Sequence, residues 1–140
     1  MRKRTKAREY ALQLLYQIDI TRSCAQDAVD DFLMSCEGSS DIKAYCKKIV
    51  EGTAKYASVI DIFIAKYTRN WKLGRMAVVD RNILRLATYE LLYMEDIPAK
   101  VAINEAVELA KKFGDDNSGK FVNGILDKIS KEELKNQKKI

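Results

Sequence analysis

The chain has 140 residues, of which 47% are hydrophobic, and it carries a formal net charge of +5. A chain of this size buries one ordinary core, and its single proline and six glycines leave few of the breaks that separate strands in a sheet. Because the sequence contains no histidine, it lacks the commonest general base and the commonest metal ligand. These features predict one all-α domain and disfavour an enzyme or a metal site.

Apolar residues recur at helical spacing and predict about seven helices. The first runs from about residue 4 to residue 20, and its buried stripe extends from Ala7 to Ile18. A second helix is expected at about 26–34, and a third, long helix at about 41–67. The N-terminal half of the chain is therefore predicted to be helical almost throughout.

The C-terminal half continues the same pattern. The stretch at about 78–94 is apolar around much of its circumference, which is typical of a central helix. Pro98 then marks the start of a helix at about 99–113, which Gly114 is well placed to close. Ser118 is positioned to cap the last helix.

One domain with two helical subdomains accounts for this order of elements. The pattern breaks at residues 69–74, so we place the boundary there, between an N-terminal subdomain of about 1–70 and a C-terminal one of about 71–133. The chain is polar from Lys131 on and is expected to fray, and residues 134–140 are predicted to form a polar tail.

The strongest functional signal is the basic head, which we define as residues 2–8. It contains no acidic residue and five cations, which are Arg2, Lys3, Arg4, Lys6 and Arg8. The helix dipole disfavours cations at a helix N-terminus, so local helix stability does not explain them. They predict an anionic partner, for which RNA, DNA and anionic lipid all remain open, and the alternative is a disordered solubility tail.

Two aromatic residues are candidates for stacking on bases. Tyr16 lies off the centre of the buried stripe of the first helix. Phe121 follows Lys120 at the start of the last helix, where backbone amides and a cation together suit a phosphate. For both rings, packing in the core is the alternative.

Other reactive side chains carry no clear chemistry. Glu105 and Glu108 lie three residues apart on one helix, and we interpret them as solvated charges rather than as a paired acid and base. Cys24, Cys36 and Cys46 match no zinc or redox spacing, so we expect reduced thiols, with Cys46 packed in a helix.

Motifs for nucleotide binding, hydrolysis and membrane insertion are also missing. The sequence has no Walker lysine motif, no GxGxxG and no GxSxG. No apolar run approaches the roughly 20 residues that span a bilayer, and helical alternation instead of a signal sequence follows the charged N-terminus. We therefore predict a cytoplasmic protein that is not an enzyme and needs no cofactor.

The order and spacing of several sequence words resemble the NusB family of bacterial transcription antitermination factors over nearly the whole chain. The N-terminal words are ARE with ALQLLY (7–9 and 11–16), NW (70–71), and VDRNILRLA with YEL (79–87 and 89–91). The most telling words are IP (97–98), VAINEAVELAK (101–111), FG (113–114) and KFVNGILD (120–127).

This resemblance implies an all-helical fold of two packed subdomains and a function in binding. It implies a partnership with NusE, a small-subunit ribosomal protein, and binding of the pair to the boxA element of nascent ribosomal RNA. The whole assembly keeps RNA polymerase from terminating, so the resemblance implies roles in transcription antitermination and in the regulation of termination.

The resemblance also implies a set of site residues. By position, the family's RNA contacts fall on Arg2, Lys3, Arg4, Lys6, Arg8, Tyr16, Asn117, Lys120 and Phe121. The surface for the protein partner is placed at Asp80, Tyr89 and Glu90. The head mixes lysines with arginines, which reduces forked contacts to phosphate, and Asn117 stands where an acidic residue also occurs in the family.

Two other functions stay open at this point. One is a protein-binding adaptor whose basic head contributes only solubility. The other is the helical accessory module of an RNA methyltransferase, which would need a cofactor-binding domain that this sequence does not contain. Exposed apolar surface suits a homodimer and a different partner equally well, so the sequence leaves the oligomeric state open.

Overall fold

The computed structural model describes residues 2–68 and 73–137, the last three of them by their backbone only. Within these ranges the chain forms seven α-helices and one turn of 3-10 helix at Leu73–Arg75, and it contains no strand. The helices are α1 (Lys3–Thr21), α2 (Ala25–Ser35), α3 (Ser40–Lys55), α4 (Ala57–Tyr67), α5 (Val78–Tyr93), α6 (Ala99–Phe113) and α7 (Ser118–Gln137). The predicted all-α class is confirmed, whereas most of the predicted boundary at 69–74 lies outside the described residues.

The predicted central helix, α5, is confirmed. It packs against α1, α3, α4, α6 and α7. Its largest fully buried side chains include Ile83, Leu84 and Leu91. Burial of apolar side chains on several faces of α5 is a main favourable contribution to packing, and α5 therefore forms the centre of the bundle.

The prediction of a single long helix at about 41–67 is wrong, because the helix is interrupted at Tyr56. This residue ends α3 and precedes α4, with φ −103° and ψ 17°. Its ring stacks on that of Tyr93 in α5, with 4.2 Å between the ring centroids. One turn earlier, Gly52 approaches α5 so closely that an added Cβ would lie 2.1 Å from the Tyr89 ring. The break lets α3 and α4 each pack on α5.

The predicted fraying from Lys131 on is also wrong for the part of the tail that the structure describes. Helix α7 continues to Gln137, and Glu133 and Leu134 are buried. The Glu133 carboxylate accepts hydrogen bonds from Tyr67 and, at 3.0 Å, from Lys66, both on α4. This contact between distant elements holds a polar segment in place that its own sequence would not order.

Candidate RNA interface

Four of the five cations of the basic head lie at or near the surface. Arg2, Lys3 and Arg4 are exposed, and Lys6 is partly buried. Helix α1 begins at Lys3, and no acidic residue lies in its first turn to neutralise these charges. The head is thus an ordered part of a helix within the described residues, and the alternative of a disordered tail does not describe it.

The ion pairs of the head are exposed and weak. The Lys3 ammonium lies 3.0 Å from the Asp41 carboxylate, and the Arg4 guanidinium lies 3.7 Å from that of Asp96. The Arg4 guanidinium also lies 4.6 Å from the centroid of the Tyr45 ring. Exposed pairs contribute only about 0 to 1 kcal/mol, so a phosphate can replace these carboxylates at little cost.

Arg8 does not belong to this exposed set, and the structure contradicts the prediction that it is free to contact RNA. Its side chain is buried, with a residue exposure of 3%. Its Nε lies 3.0 Å from each oxygen of Glu90, and its Nη1 lies 2.9 Å from Glu105. Arg8 falls on the inward side of α1, beside Ala7 and Ala11, so its charge is used inside the bundle.

The partners of Arg8 correct two further predictions. Glu90 is 1% exposed, so it cannot form part of a partner surface, and Tyr45 donates a hydrogen bond to it at 2.5 Å. Glu105 is half-buried and accepts a hydrogen bond from Thr5 at 2.5 Å, whereas we expected a solvated charge. Arg8, Glu90, Glu105 and Tyr45 form what we call the Arg8 cluster, which joins α1, α3, α5 and α6.

Two members of the Arg8 cluster, Arg8 and Tyr45, have raised pKa values. Burial by itself lowers the pKa of Arg8, but the hydrogen bonds and the negative charge of Glu90 outweigh it and raise this pKa above its ordinary value. Burial, together with the Glu90 carboxylate, raises the pKa of Tyr45. Arg8 therefore stays charged and Tyr45 stays protonated across the physiological pH range.

The second half of the predicted interface lies at the turn between α6 and α7. Asn117 and Lys120 are exposed there, and Phe121 is half-buried. The Asp115 carboxylate accepts hydrogen bonds from the backbone N–H of Asn117 at 2.9 Å and from the Ser118 hydroxyl at 3.3 Å. These bonds fix the backbone that presents the three candidate side chains.

The expected closing role of Gly114 is confirmed, and that of Ser118 is corrected. The Gly114 amide donates to the Ala110 carbonyl at 2.9 Å as α6 ends, and an added Cβ would lie 2.4 Å from the Ser118 hydroxyl oxygen. Ser118 is the first residue of α7, and its hydroxyl accepts from the Asp115 amide at 3.0 Å instead of capping α7. Glycine is needed at 114 because the chain folds back tightly at this turn.

A cavity of about 210 Å³ brings Asp80 into this half of the interface. The cavity, which we call the Asp80 cavity, lies between the start of α5 and the turn before α7; its lining residues are Met76, Ala77, Asp80, Asp115, Asn117 and Phe121. Asp80 is 9% exposed, and its Oδ1 has no hydrogen-bond partner among the residues that the structure describes. The sequence pointed to a protein-partner surface at Asp80, and only the fold shows that it lies beside Asn117 and Phe121.

Tyr16 lies at the end of α1 that meets the start of α5. Its ring is 43% exposed. One turn later, the Asp19 carboxylate accepts hydrogen bonds from Arg81 at 2.7 Å and from Asn82 at 2.9 Å. Burial raises the pKa of Asp19, but these two bonds outweigh it and hold the pKa below its ordinary value. Because Arg81 directly follows Asp80, Tyr16 is brought to the same end of the bundle as the Asp80 cavity.

Tyr89, the third residue predicted for a partner surface, is also buried. It packs beneath two other rings, with centroid distances of 5.7 Å to Tyr93 and 6.4 Å to Tyr56. The three rings form a stack on α5 and at the break between α3 and α4, and Tyr93 is the one of them that is exposed. No local sequence signal shows which ring of such a stack lies outermost.

The described residues show neither a metal cluster nor a membrane span. No three His, Cys, Asp or Glu side chains within 2–68 and 73–134 are grouped so that they would hold a metal ion. No helix in the described part of the chain is both long and apolar enough to cross a membrane. Cys46 is buried in α3 as predicted, and burial, together with the neighbouring Cys36, raises its pKa to about 12.

Comparison with known sequences identifies the relatives of this chain. The model of the NusB family matches residues 5–131. Transcription antitermination protein NusB of Thermodesulfovibrio yellowstonii is 44% identical over 142 residues, and the match covers 94% of each chain. The protein of the same name from Anaeromyxobacter sp. strain Fw109-5 is 51% identical over 129 residues, which cover 91% of this chain and 90% of the relative.

Comparison with solved structures gives the same result for the fold. NusB of T. maritima superposes with a TM-score of 0.85 at 41% identity, covering 92% of this chain and 91% of that one. A structure of the antitermination factors NusB and NusE in complex with double-stranded RNA gives a TM-score of 0.85 at 31% identity, covering 94% and 98%. The arrangement of seven helices described above is shared with these structures.

Proposed function

Because this chain belongs to the NusB family, we propose that it is a transcription antitermination factor that binds boxA-type single-stranded RNA of nascent ribosomal transcripts together with the ribosomal protein NusE. The relatives named above are named as transcription antitermination proteins, and one solved neighbour is a complex of NusB and NusE with double-stranded RNA. We place its action in the cytoplasm, on the transcript of an antiterminating RNA polymerase. It acts by binding alone, without making or breaking a bond.

The observation that carries this proposal is that exposed cations and an unpaired acceptor lie on the same molecule in two separate places. Arg2, Lys3 and Arg4 form a cationic surface; among the described residues, Lys3 and Arg4 are only weakly paired and Arg2 forms no ion pair. Such a surface suits the phosphates of a nucleic acid and carries no sequence preference of its own.

The Asp80 cavity supplies what the cationic surface lacks. The unpaired Oδ1 of Asp80 can accept a hydrogen bond from an amino or imino group on the edge of an unstacked base. The half-buried Phe121 and the exposed Tyr16 offer rings on which a base can stack. Asn117 and Lys120, exposed at the same turn, complete the set with an amide and a cation. Unpaired bases are accessible in this way only in single-stranded RNA.

Salt dependence of RNA binding tests the cationic surface. Lys3→Gln and Arg4→Gln should each weaken binding of labelled single-stranded boxA RNA. Each should also reduce the magnitude of the negative slope of log K against log salt by about 0.7, the value for one lost phosphate contact. Lys47→Gln is the matched control, because Lys47 is also exposed and paired with aspartate, at 3.6 Å from Asp30. Equal slopes for all three variants and the unchanged protein would contradict the proposal.

The same titration with NusE present separates RNA binding from the adaptor function. We expect NusE to increase the RNA affinity of the unchanged protein, because the two proteins present a joint surface. A protein that binds NusE but shows no measurable affinity for boxA RNA, with or without NusE, would be an adaptor.

A further inference from the structure

A second surface that combines cations with aromatic rings lies where α3 packs on α5. Lys48, Gly52 and Lys55 follow one another at spacings of four and three residues, so they share one face of α3. At Gly52 this face approaches α5 so closely that an added Cβ would meet the Tyr89 ring. The two lysines therefore lie on either side of the place where α3 contacts the tyrosines of α5.

Three stacked tyrosine rings stand beside these lysines. The rings of Tyr56 and Tyr93 are nearly parallel, with an angle of 9° between their planes. Tyr93 is 36% exposed, and the Lys55 ammonium lies 5.3 Å from the centroid of the Tyr56 ring. The buried Tyr89 ring supports the other two. We call Lys48, Lys55, Tyr56 and Tyr93 the Tyr93 patch, and a ring held in place beside a cation suits the stacking of an unpaired base.

Both lysines of the Tyr93 patch are available to an anion. Lys48 and Lys55 are exposed, and neither forms an ion pair among the described residues. Glu51, which lies between them on α3, is 3.9 Å from the Lys47 ammonium. Lys47 is turned toward α2, where it also lies 3.6 Å from Asp30. A phosphate at the patch therefore meets two unpaired cations and a carboxylate that is already neutralised.

A depression of about 450 Å³ connects the Tyr93 patch with the basic head. Lys3 and Arg4 line it on α1, and Lys48 lines it on α3, whereas no residue of α6 or α7 does. Asp41, the acidic residue in this lining, lies 3.0 Å from the Lys3 ammonium. A strand that leaves the head in this direction would pass from one set of cations to the next and reach the rings.

We propose that the Tyr93 patch is a second RNA site, which binds unpaired nucleotides of the transcript next to the boxA element. The exposed ring stacks on a base, and the two lysines contact the phosphates beside it. Rings and cations together favour a single strand over an acidic protein segment, because each nucleotide offers both a flat base and a phosphate. This inference rests on the proposed function and adds to it a site outside the basic head and the Asp80 cavity.

Lengthening the RNA tests this second site with the full chain. A short labelled RNA contains the boxA element alone, and two longer ones carry about six additional uridines at the 5′ end or at the 3′ end. One of the two extensions should raise the affinity about fivefold or more, as expected for one stacked base. The same extension made of abasic nucleotides should give a smaller gain, because it keeps the phosphates but has no base to stack.

Two pairs of variants locate the gain on the Tyr93 patch. Tyr93→Leu should lose most of the gain and still bind the short RNA as the unchanged protein does, whereas Tyr93→Phe keeps the ring and should keep the gain. With the extended RNA, Lys48→Gln should reduce the magnitude of the salt slope by about 0.7. Lys47→Gln is its matched control and should leave this slope unchanged, because Lys47 is equally exposed on α3 but is turned toward α2.

The other results separate this inference from the proposed function. If neither extension raises the affinity, or if Tyr93→Leu keeps the full gain, the second site is overturned while binding of the short RNA still supports the proposed function. Equal gains from the abasic and the uridine extensions, or equal effects of Lys47→Gln and Lys48→Gln, would reduce the effect to net charge and overturn it as well.

A labelled polyglutamate peptide tests the competing occupant of the patch. If it binds the unchanged protein but not Tyr93→Leu, while the extensions add nothing, the patch serves an acidic protein segment and the inference is overturned. If the unchanged protein does not bind even the short RNA, the proposed function itself fails, and the inference fails with it.

Discussion

Two buried side chains of α5, Asp80 and Thr88, each hold an oxygen without a hydrogen-bond partner within the described part of the chain. A buried polar group left unpaired costs about 1 to 3 kcal/mol. Thr88 is fully buried in the core. Asp80 lines a cavity, so a bound base can offset its cost.

Removing the Asp80 carboxylate separates base recognition from simple charge repulsion. We expect Asp80→Ala to weaken binding of boxA RNA by about tenfold or more, since a hydrogen bond to a charged group is worth about 1.5 to 3 kcal/mol. A carboxylate that only faced the RNA would have the opposite effect, because its removal relieves repulsion of phosphates.

The control for Asp80→Ala is Asp116→Ala. Asp116 is exposed at the turn between α6 and α7, next to Asn117, so its removal should leave RNA affinity unchanged or raise it. Fluorescence titration of both variants with one RNA gives the comparison. An increase in affinity for Asp80→Ala would show that Asp80 does not accept a hydrogen bond from the RNA.

At the scale of the helices, the end of α7 depends on the hydrogen bonds that Lys66 and Tyr67 of α4 donate to the Glu133 carboxylate. Hydrogen bonding from Tyr67 lowers the pKa of Glu133 against the effect of burial, and Lys66 adds to this lowering. A carboxyl group whose pKa is lower in the folded state stabilises the fold above its unfolded pKa, here near 4.5, and this contribution is lost as the pH falls below that value.

Replacing this carboxyl group should therefore remove a pH-dependent part of the stability. We expect Glu133→Gln to lower the free energy of unfolding at pH 7 by about 1 kcal/mol, because the neutral amide oxygen still accepts a hydrogen bond but lacks the charge that strengthens it. The difference from the unchanged protein should shrink between pH 5 and pH 3, roughly the window in which the native carboxyl group becomes protonated. Urea unfolding of both proteins at pH 7 and at pH 3 measures this difference in the free energy of unfolding.

Asp127→Asn serves as the control for Glu133→Gln, because Asp127 pairs with Lys131 along the same helix at 3.0 Å and forms no hydrogen bond or ion pair with α4 within the described part of the chain. It should change stability by only a few tenths of a kcal/mol at either pH, as expected for an i, i+4 pair. If Glu133→Gln is as stable as the unchanged protein at pH 7, the contact with α4 does not order the end of α7.

The helices could be predicted from the sequence, but the points at which they end depend on tertiary contacts. The apolar spacing of α3 continues into α4 without a change of phase, because Ile49, Tyr56 and Ile60 all face the core or its edge. The break at Tyr56 comes from its stacking on Tyr93, which is 37 residues away in the sequence. The same reason explains the error at Lys131, since the partners of Glu133 lie on α4.

Over the whole molecule, the same limit divides the candidate site into two kinds of residue. The exposed cations of the head could be predicted, because no acidic residue stands among them in the first turn of α1. The burial of Arg8 could not, because its carboxylate partner Glu90 is 82 positions further along the chain. Likewise, the pattern of α5 places Asp80 in a first turn, but its position beside Phe121 follows from how α5 and α7 pack.

The Arg8 cluster connects four helices, α1, α3, α5 and α6, and its role can be separated from RNA binding. Arg8→Ala alone should destabilise the protein by about 3 to 5 kcal/mol, because Glu90 would remain as a buried charge without its partner. The double variant Arg8→Met with Glu90→Leu removes both buried charges and should recover much of this loss, since a buried ion pair is often replaceable by apolar residues of similar size. Glu105 keeps its hydrogen bond from Thr5 and is partly solvated.

The salt slope of RNA binding by this double variant decides between the two roles of Arg8. If Arg8 only holds α1 against α5 and α6, the double variant should bind boxA RNA with the same salt slope as the unchanged protein. Its unfolding midpoint should also be close to that of the unchanged protein. If Arg8 contacts a phosphate, the slope should fall by about 0.7 even in a variant of native stability. Because burial gives Arg8 no path to a phosphate without breaking its bonds to Glu90, we expect the unchanged slope.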